Sequence, residues 1–166
     1  GLYDRDGIYT RDADEHVRFL ALTWAALLSA QQMAFEPHVA HVNDWQTALL
    51  PLVMKARFGW DRLFARTKTV LTIHNLAHQG MLPAAALPAT DLADSAHLFH
   101  QEHLREGRFG FLETGILYAD AITTVSPTYA REIQRDGDGG ELASLLRERT
   151  TSVVGILNGI DEEEWN

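Results

Sequence analysis

The hydrophobic positions along the chain follow two different periods. Between Asp12 and Met33, apolar residues recur at steps of three and four, which predicts a helix with one apolar face. From Lys68 to Ile73, β-branched residues prevail and polar residues alternate with apolar ones, which predicts a strand buried in a sheet. The sequence therefore predicts a protein that contains both helices and strands.

The same two patterns predict the remaining elements. Further helices are predicted over Thr47–Phe58, Asp94–His103, Phe109–Tyr118 and Glu141–Arg149, with another that begins at Ser126 and Pro127, and further strands over His38–Val42, Asp120–Val125 and Ser152–Leu157. Because strands that alternate with helices form parallel βαβ units, the predicted fold class is α/β, a Rossmann-like parallel sheet with flanking helices. No internal repeat or linker divides the sequence, so we expect a single domain.

Polar side chains follow the predicted strands directly. Asp44 follows the first strand, His74 and Asn75 follow the second, and Ser126 and Asn158 follow the last two. In a parallel sheet these positions share the edge at which ligands bind. Each residue also has a simpler interpretation: the aspartate and the serine as helix N-caps, the histidine as a core residue, and the last asparagine as part of an Asn-Gly turn. Their coincidence at one edge favours a binding site.

Composition and charge narrow the class of ligand. The 166 residues are 46% hydrophobic, and the formal charge is −9 with no cysteine. This length suits one folded domain, and no apolar run reaches the roughly 20 residues that cross a bilayer. The negative charge disfavours nucleic acid and anionic membranes, and without cysteine there is neither a disulfide nor a thiolate metal site. A neutral polar ligand such as a carbohydrate is compatible with this charge.

Several common motifs are absent. The sequence has no G-x-G-x-x-G after a strand, no G-x-x-x-x-G-K-[ST] and no G-x-S-x-G, which makes an isolated Rossmann-like oxidoreductase the least favoured function. Basic residues do not cluster at the strand ends, so the phosphates of a nucleotide would be held by other parts of the protein. His97, His100 and His103 recur at steps of three, but we interpret them as a solvated polar face rather than a metal site, since no H-E-x-x-H accompanies them.

Four segments, in order, resemble one enzyme family. HVNDWQT, TIHNLAHQG, YADAITTVSPTYAREI and GILNGIDEEEW resemble the bacterial glycogen synthases and plant starch synthases, and the resemblance runs from Leu2 to Asn166. It implies a GT-B glycosyltransferase, with two Rossmann-like domains and an active site between them. Residues 1–166 would be the later part of the N-terminal domain, without the C-terminal nucleotide-binding domain. By itself this part would be inactive.

The resemblance also implies a reaction and the residues that serve it. The reaction is transfer of glucose from ADP-glucose to the non-reducing end of an α-1,4-glucan, with retention of configuration and with neither metal nor cofactor. His74 would be the catalytic residue that contacts the transferred glucose, and Asn75 its neighbour in the sugar pocket. Asp44 and Trp45 would meet the acceptor glucan, and Asn158 would lie where the chain crosses between domains. The implied location is the bacterial cytoplasm, or the plastid for a plant protein.

The sequence departs from the family pattern at a few positions, and alternative functions stay open. Asn43 and Gln46 stand where the family often has the histidines of HDWH, His78 stands for the tyrosine of NLAYQG, and Glu113 replaces a frequent lysine. One alternative is another GT-B transferase with a different sugar nucleotide, such as a sucrose-synthase-like enzyme. The other is a non-catalytic module that binds glucan.

Overall fold

The structure is a computed structural model that describes residues 14–149, 153–161 and 163. Its strands, in chain order, are β1 (Val39–Asn43), β2 (Lys68–Ile73), β3 (Met81–Pro83), β4 (Arg108–Gly110), β5 (Ala121–Thr124) and β6 (Val154–Gly155). Among the described residues, β1, β2, β5 and β6 form a parallel sheet in that order, and β3 pairs with β4 in an antiparallel two-stranded sheet. The predicted α/β class with a parallel sheet is confirmed.

Helices connect and flank these strands. They are α1 (Glu15–Gln32), α2 (Asp44–Thr47), α3 (Leu50–Arg57), α4 (Gln101–Arg105), α5 (Phe111–Tyr118), α6 (Pro127–Glu132) and α7 (Leu142–Glu148), with 3₁₀ turns at Arg62–Phe64, Ala84–Thr90 and Ala93–Leu98. In the part of the chain that the structure describes, no helix is both long enough and apolar enough to cross a membrane.

Most predicted elements are confirmed, with shifted ends. The predicted strand at Lys68–Ile73 coincides with β2, but the predicted helix over 47–58 divides into α2 and α3, which meet at Ala48 and Leu49. The predicted helix over 94–103 likewise divides into a 3₁₀ turn and α4, and of the strand predicted over 152–157 only the two residues of β6 form a ladder. Residues 12, 13 and 152, which fall within predicted elements, lie outside the described residues.

The core lies against one side of the sheet. Alternate residues of β2 are buried, and Leu71 and Ile73 are completely inaccessible to solvent. Helix α5 is apolar around most of its circumference, and it is accordingly buried on most sides. Gly115 lets α5 approach α2 closely, since a Cβ there would lie 2.7 Å from the Cβ of Ala48. This close packing fixes α2, which follows β1 directly, against the core.

Asp120 joins the amino ends of β2 and β5. Its carboxylate accepts hydrogen bonds from the backbone N–H of Thr69 at 2.8 Å, the Thr69 hydroxyl at 2.9 Å and the Lys68 ammonium at 3.1 Å. Burial acts to raise the pKa of Asp120, but the hydrogen bonds from Thr69 and Lys68 outweigh it, so that the pKa lies below its ordinary value. The ionised carboxylate therefore stabilises the junction of these two strands.

We expect Asp120→Ala to lower the free energy of unfolding by about 1–2 kcal/mol at neutral pH, because Thr69 loses its partners. The folded-state pKa is lowered, so this contribution is fully present above the ordinary value of 3.8 and is lost as the pH falls through the lowered value. Denaturant unfolding of the wild type and of Asp120→Ala at neutral and acidic pH measures this contribution to the free energy of unfolding. Asp138→Ala, at an exposed carboxylate, is the control, and an equal loss there would contradict the assignment.

Candidate functional site

The carboxyl ends of β1 and β2 bring Asp44 and His74 into contact. The parallel register pairs Asn43 with Thr72, so the residues just after the two strands are neighbours. Oδ1 of Asp44 accepts hydrogen bonds from the backbone N–H of His74 at 2.7 Å and of Asn75 at 3.4 Å. Its Oδ2 lies 3.1 Å from Nδ1 of the His74 ring. One carboxylate thus holds both the backbone and the imidazole of the β2 terminus.

The backbone around Asp44 directs its side chain toward β2. Asp44 has a φ of +52°, a left-handed conformation that aspartate tolerates better than most residues. The preceding residue, Asn43, is held by Thr47. The Thr47 hydroxyl accepts from the backbone N–H of Asn43 at 2.8 Å and donates to the carbonyl of Asn43 at 2.9 Å. Asp44 does not cap α2, because Asn43 occupies the N-cap position. The simpler interpretation of Asp44 as an N-cap is therefore wrong.

His74 offers one ring nitrogen to a ligand. Its side chain is 44% exposed, whereas that of Asp44 is 27% exposed. A carboxylate oxygen beside Nδ1 favours the tautomer with the proton on Nδ1, which leaves Nε2 available as the other hydrogen-bonding atom. The interpretation of His74 as a sealed core histidine does not fit this exposure. The arrangement can present an oriented imidazole to a polar ligand.

His74 and Asn158 line the same pocket, as their positions at strand ends predict. The pocket has a volume of about 300 Å³ and extends over the half-exposed face of the sheet. It also contains residues that sequence reasoning missed. Nε2 of His41 lies 2.6 Å from the Thr72 hydroxyl, which lies 2.7 Å from the Thr123 hydroxyl, so that a polar row crosses β1, β2 and β5. The signal was present in the sequence as polar residues that alternate with apolar ones along each strand.

Asn75 and Ser126 make local contacts. The side-chain oxygen of Asn75 accepts from the backbone N–H of Ala77 at 3.0 Å, which forms an Asx turn in the loop after β2. Ser126 accepts from the backbone N–H of Tyr129 at 2.9 Å, which confirms its interpretation as the N-cap of α6. The Tyr129 hydroxyl in turn accepts from the backbone N–H of Leu76 at 3.0 Å. These bonds fix the shape of the loop that carries His74.

Trp45 does not present an open ring face. It is only 9% exposed, with its ring edge-to-face against Phe19 at 5.0 Å and tilted against Phe111 at 6.2 Å. Gly80 covers it further, since any Cβ at that position would overlap the indole, and the φ of Gly80 is +61°. The expectation that Trp45 lies against an acceptor sugar does not fit this burial. Its indole instead packs against Gly80, in the loop after β2.

The three histidines at steps of three do not share one environment. His97 is exposed in a 3₁₀ turn, as a solvated polar residue would be. His103 is only 9% exposed, and its ring lies against the buried carboxylate of Glu113. The interpretation of all three as one solvated face is wrong because the helix predicted through them breaks between His97 and His103.

Sequence comparison identifies relatives over the whole chain. A family model described as the starch synthase catalytic domain matches residues 1–148. Glycogen synthase 2 of Geobacter metallireducens is 44% identical over 99% of this chain, and the match covers 35% of that relative. The glycogen synthase of Myxococcus xanthus is 46% identical over 100% of this chain and 34% of its own length. The chain thus spans about a third of the length of the curated relatives it matches.

A solved structure agrees with the sequence matches. The catalytic domain of starch synthase IV from Arabidopsis thaliana, bound to ADP and acarbose, is similar with a TM-score of 0.88 and 30% identity. The similarity covers 99% of this chain and 34% of that chain. On these matches of sequence and fold, the chain belongs to the glycogen and starch synthase family.

Proposed function

We propose that the protein containing this chain transfers glucose from ADP-glucose to the non-reducing end of an α-1,4-glucan, with retention of the anomeric configuration. The observation that carries the proposal is the contact between Asp44 and His74 at the edge of the parallel sheet where ligands bind. Membership of the glycogen and starch synthase family supports it. The similar plant structure, which is bound to ADP and acarbose, supports the same class of donor and acceptor.

In this proposal His74 is the residue that touches the transferred glucose. Its Nε2 hydrogen-bonds to the sugar, and a preorganised bond of this kind strengthens as charge develops in the transition state. Asp44 is a positioning residue that fixes the ring through Nδ1. The exposed amides of Asn75 and Asn158 lie at the same edge and offer donors and acceptors to sugar hydroxyls.

The nucleotide requires a second domain. A diphosphate is bound by arginine, lysine or clustered backbone amides, and neither lysine nor arginine is among the described residues that line the pocket beside His74. We therefore propose that residues 1–166 form part of the N-terminal domain of a GT-B enzyme whose C-terminal domain binds the nucleotide. This chain contributes the glucose and acceptor side of the cleft, and by itself it does not transfer glucose.

We expect His74→Ala, made in the full-length protein, to lower turnover of ADP-glucose with a glycogen primer by roughly 100-fold or more. The fold should survive because the side chain is 44% exposed. His38→Ala is the matched control, since His38 is exposed just before β1, at the opposite end of the sheet. Release of ADP measures turnover. Activity of the His74 variant within a few-fold of wild type would contradict the proposal, and glucan binding by the wild type without ADP release would indicate a binding module.

We expect Asp44→Asn to lower kcat by roughly 10-fold, because the amide can still accept from the backbone of His74 but the charge beside Nδ1 is lost. Asparagine tolerates a positive φ, so the backbone should be preserved. Since Asp44 acts through His74, the double variant with His74→Ala should lose no more activity than His74→Ala alone. The kcat and KM of both single variants and the double variant test this coupling. Losses that multiply would show that Asp44 acts independently.

We expect Trp45→Leu to lower the free energy of unfolding by about 2–3 kcal/mol, because the contacts of the indole with Phe19 and Phe111 are lost. The KM for glucan should change by no more than about twofold if the ring supports the loop rather than the sugar. Thermal unfolding and initial rates over a range of glycogen concentrations measure the two quantities. A large rise in the KM for glucan with unchanged stability would instead indicate that Trp45 contacts the acceptor.

A further inference from the structure

A second cluster of chemically active side chains lies where α4, β4 and α5 meet, apart from the site at the strand ends. His100 is the N-cap residue of α4, His103 lies within α4, and Glu113 lies in the first turn of α5. Nδ1 of His103 is 2.6 Å from Oε1 of Glu113, and Nδ1 of His100 is 3.6 Å from the same oxygen. Two imidazoles and a carboxylate thus converge on one point, and one ligand atom from each lies within 4.8 Å of the others.

One of the nitrogens that converge there is unsatisfied. Within the described residues, Nδ1 of His100 is buried and lacks a hydrogen-bond partner, whereas Nδ1 of His103 contacts the Glu113 carboxylate. Glu113 is only 2% exposed, and His103 is 9% exposed. Buried polar atoms are satisfied in most proteins, so an unpartnered His100 Nδ1 that faces a second imidazole and a carboxylate indicates a missing partner.

The surroundings favour a positive partner. A cleft of about 420 Å³ opens beside the cluster, and the described residues that line it include five glutamates and one arginine. That arginine, Arg108, is already paired with Glu106 at 2.8 Å and Glu141 at 2.9 Å. This acidic lining favours a cation beside the buried Glu113 carboxylate.

The orientation of His103 also suits metal coordination. Its Nε2 lies 3.6 Å from Oε2 of Glu141, on the side of the ring opposite Glu113. Without an ion, the nearer carboxylate of Glu113 favours the proton on Nδ1, and a cation bound at Nδ1 would place the ring proton on Nε2, toward Glu141. Histidines that bind metals usually have such a partner on their other nitrogen.

We propose that His100, His103 and Glu113 bind a zinc ion through the two Nδ1 atoms and a carboxylate oxygen, with the open side of the cleft available to water. Two imidazoles and one carboxylate are a ligand set found in zinc sites, whereas magnesium and calcium prefer oxygen ligands alone. Small rotations of these side chains would bring all three ligand atoms to the about 2.0–2.2 Å that zinc requires. The ion would join α4 to α5. This proposal does not depend on the proposed function.

The test is zinc binding by the full-length protein after treatment with a chelator. Calorimetric titration with zinc chloride should show one more zinc ion per chain in the wild type than in Glu113→Gln or His100→Asn. Zinc should also raise the Tm of the wild type but not that of these two variants, because binding to the folded state alone stabilises it. His100→Asn is included since that side chain is 33% exposed and its replacement should leave the fold intact. His97→Asn, at an exposed histidine of the same segment, is the matched control and should bind as the wild type does.

The outcomes separate the zinc site from a simple ion pair. If the cluster is only a protonated histidine beside a carboxylate, the wild type and both variants will bind equal numbers of zinc ions, and the proposal is overturned. Equal loss in His97→Asn would likewise overturn it, because the binding would then be adventitious. Cobalt(II) provides an independent measurement, since its visible absorption distinguishes a four- or five-coordinate protein site from the hydrated ion and should be lost in His100→Asn.

Discussion

The acceptance of two backbone N–H groups by the Asp44 carboxylate is the interaction on which the candidate site depends. Two adjacent parallel strands end at the same level, and each is followed by a sharp change of direction. Without a link, these two loops would be positioned independently. A single side chain, held by its left-handed backbone, spans the gap and also touches Nδ1 of His74. Because Asp44 follows β1 and His74 follows β2, the pairing of these two strands determines where the imidazole lies.

Much of this arrangement could be predicted from the sequence because it follows from topology. Alternation along Lys68–Ile73 located β2 correctly, and parallel strands necessarily place their ends along one edge. The contact between Asp44 and His74 needs β1 and β2 to be neighbours, which consecutive strands usually are, and also the positive φ of Asp44, which the strand pattern does not predict. The pocket shared by His74 and Asn158 follows in the same way, through the order of the sheet.

What could not be predicted depends on packing between distant elements. Strands β3 and β4 have three residues each, too few to show a period, and Pro83 further weakens the signal. An aromatic residue after a strand can face a ligand or the core, and Trp45 is buried because Phe19, Phe111 and Gly80 pack against it. The meeting of His103 with Glu113 likewise depends on how α4 packs on α5, which local spacing does not encode.

The fit of Gly80 against Trp45 restricts how related sequences can diverge. Glycine at this position satisfies two separate demands, a positive φ and the absence of any atom where the indole lies. A smaller side chain in place of Trp45 would make room for a Cβ at position 80 but would not remove the need for a positive φ there. Asparagine in place of Gly80 tolerates that φ but would still collide with the Trp45 ring. A larger residue at position 80 therefore requires both a smaller residue at position 45 and a side chain that tolerates the positive φ, whereas position 45 can change while Gly80 is kept. Replacement of Gly80 should therefore follow replacement of Trp45 and not precede it.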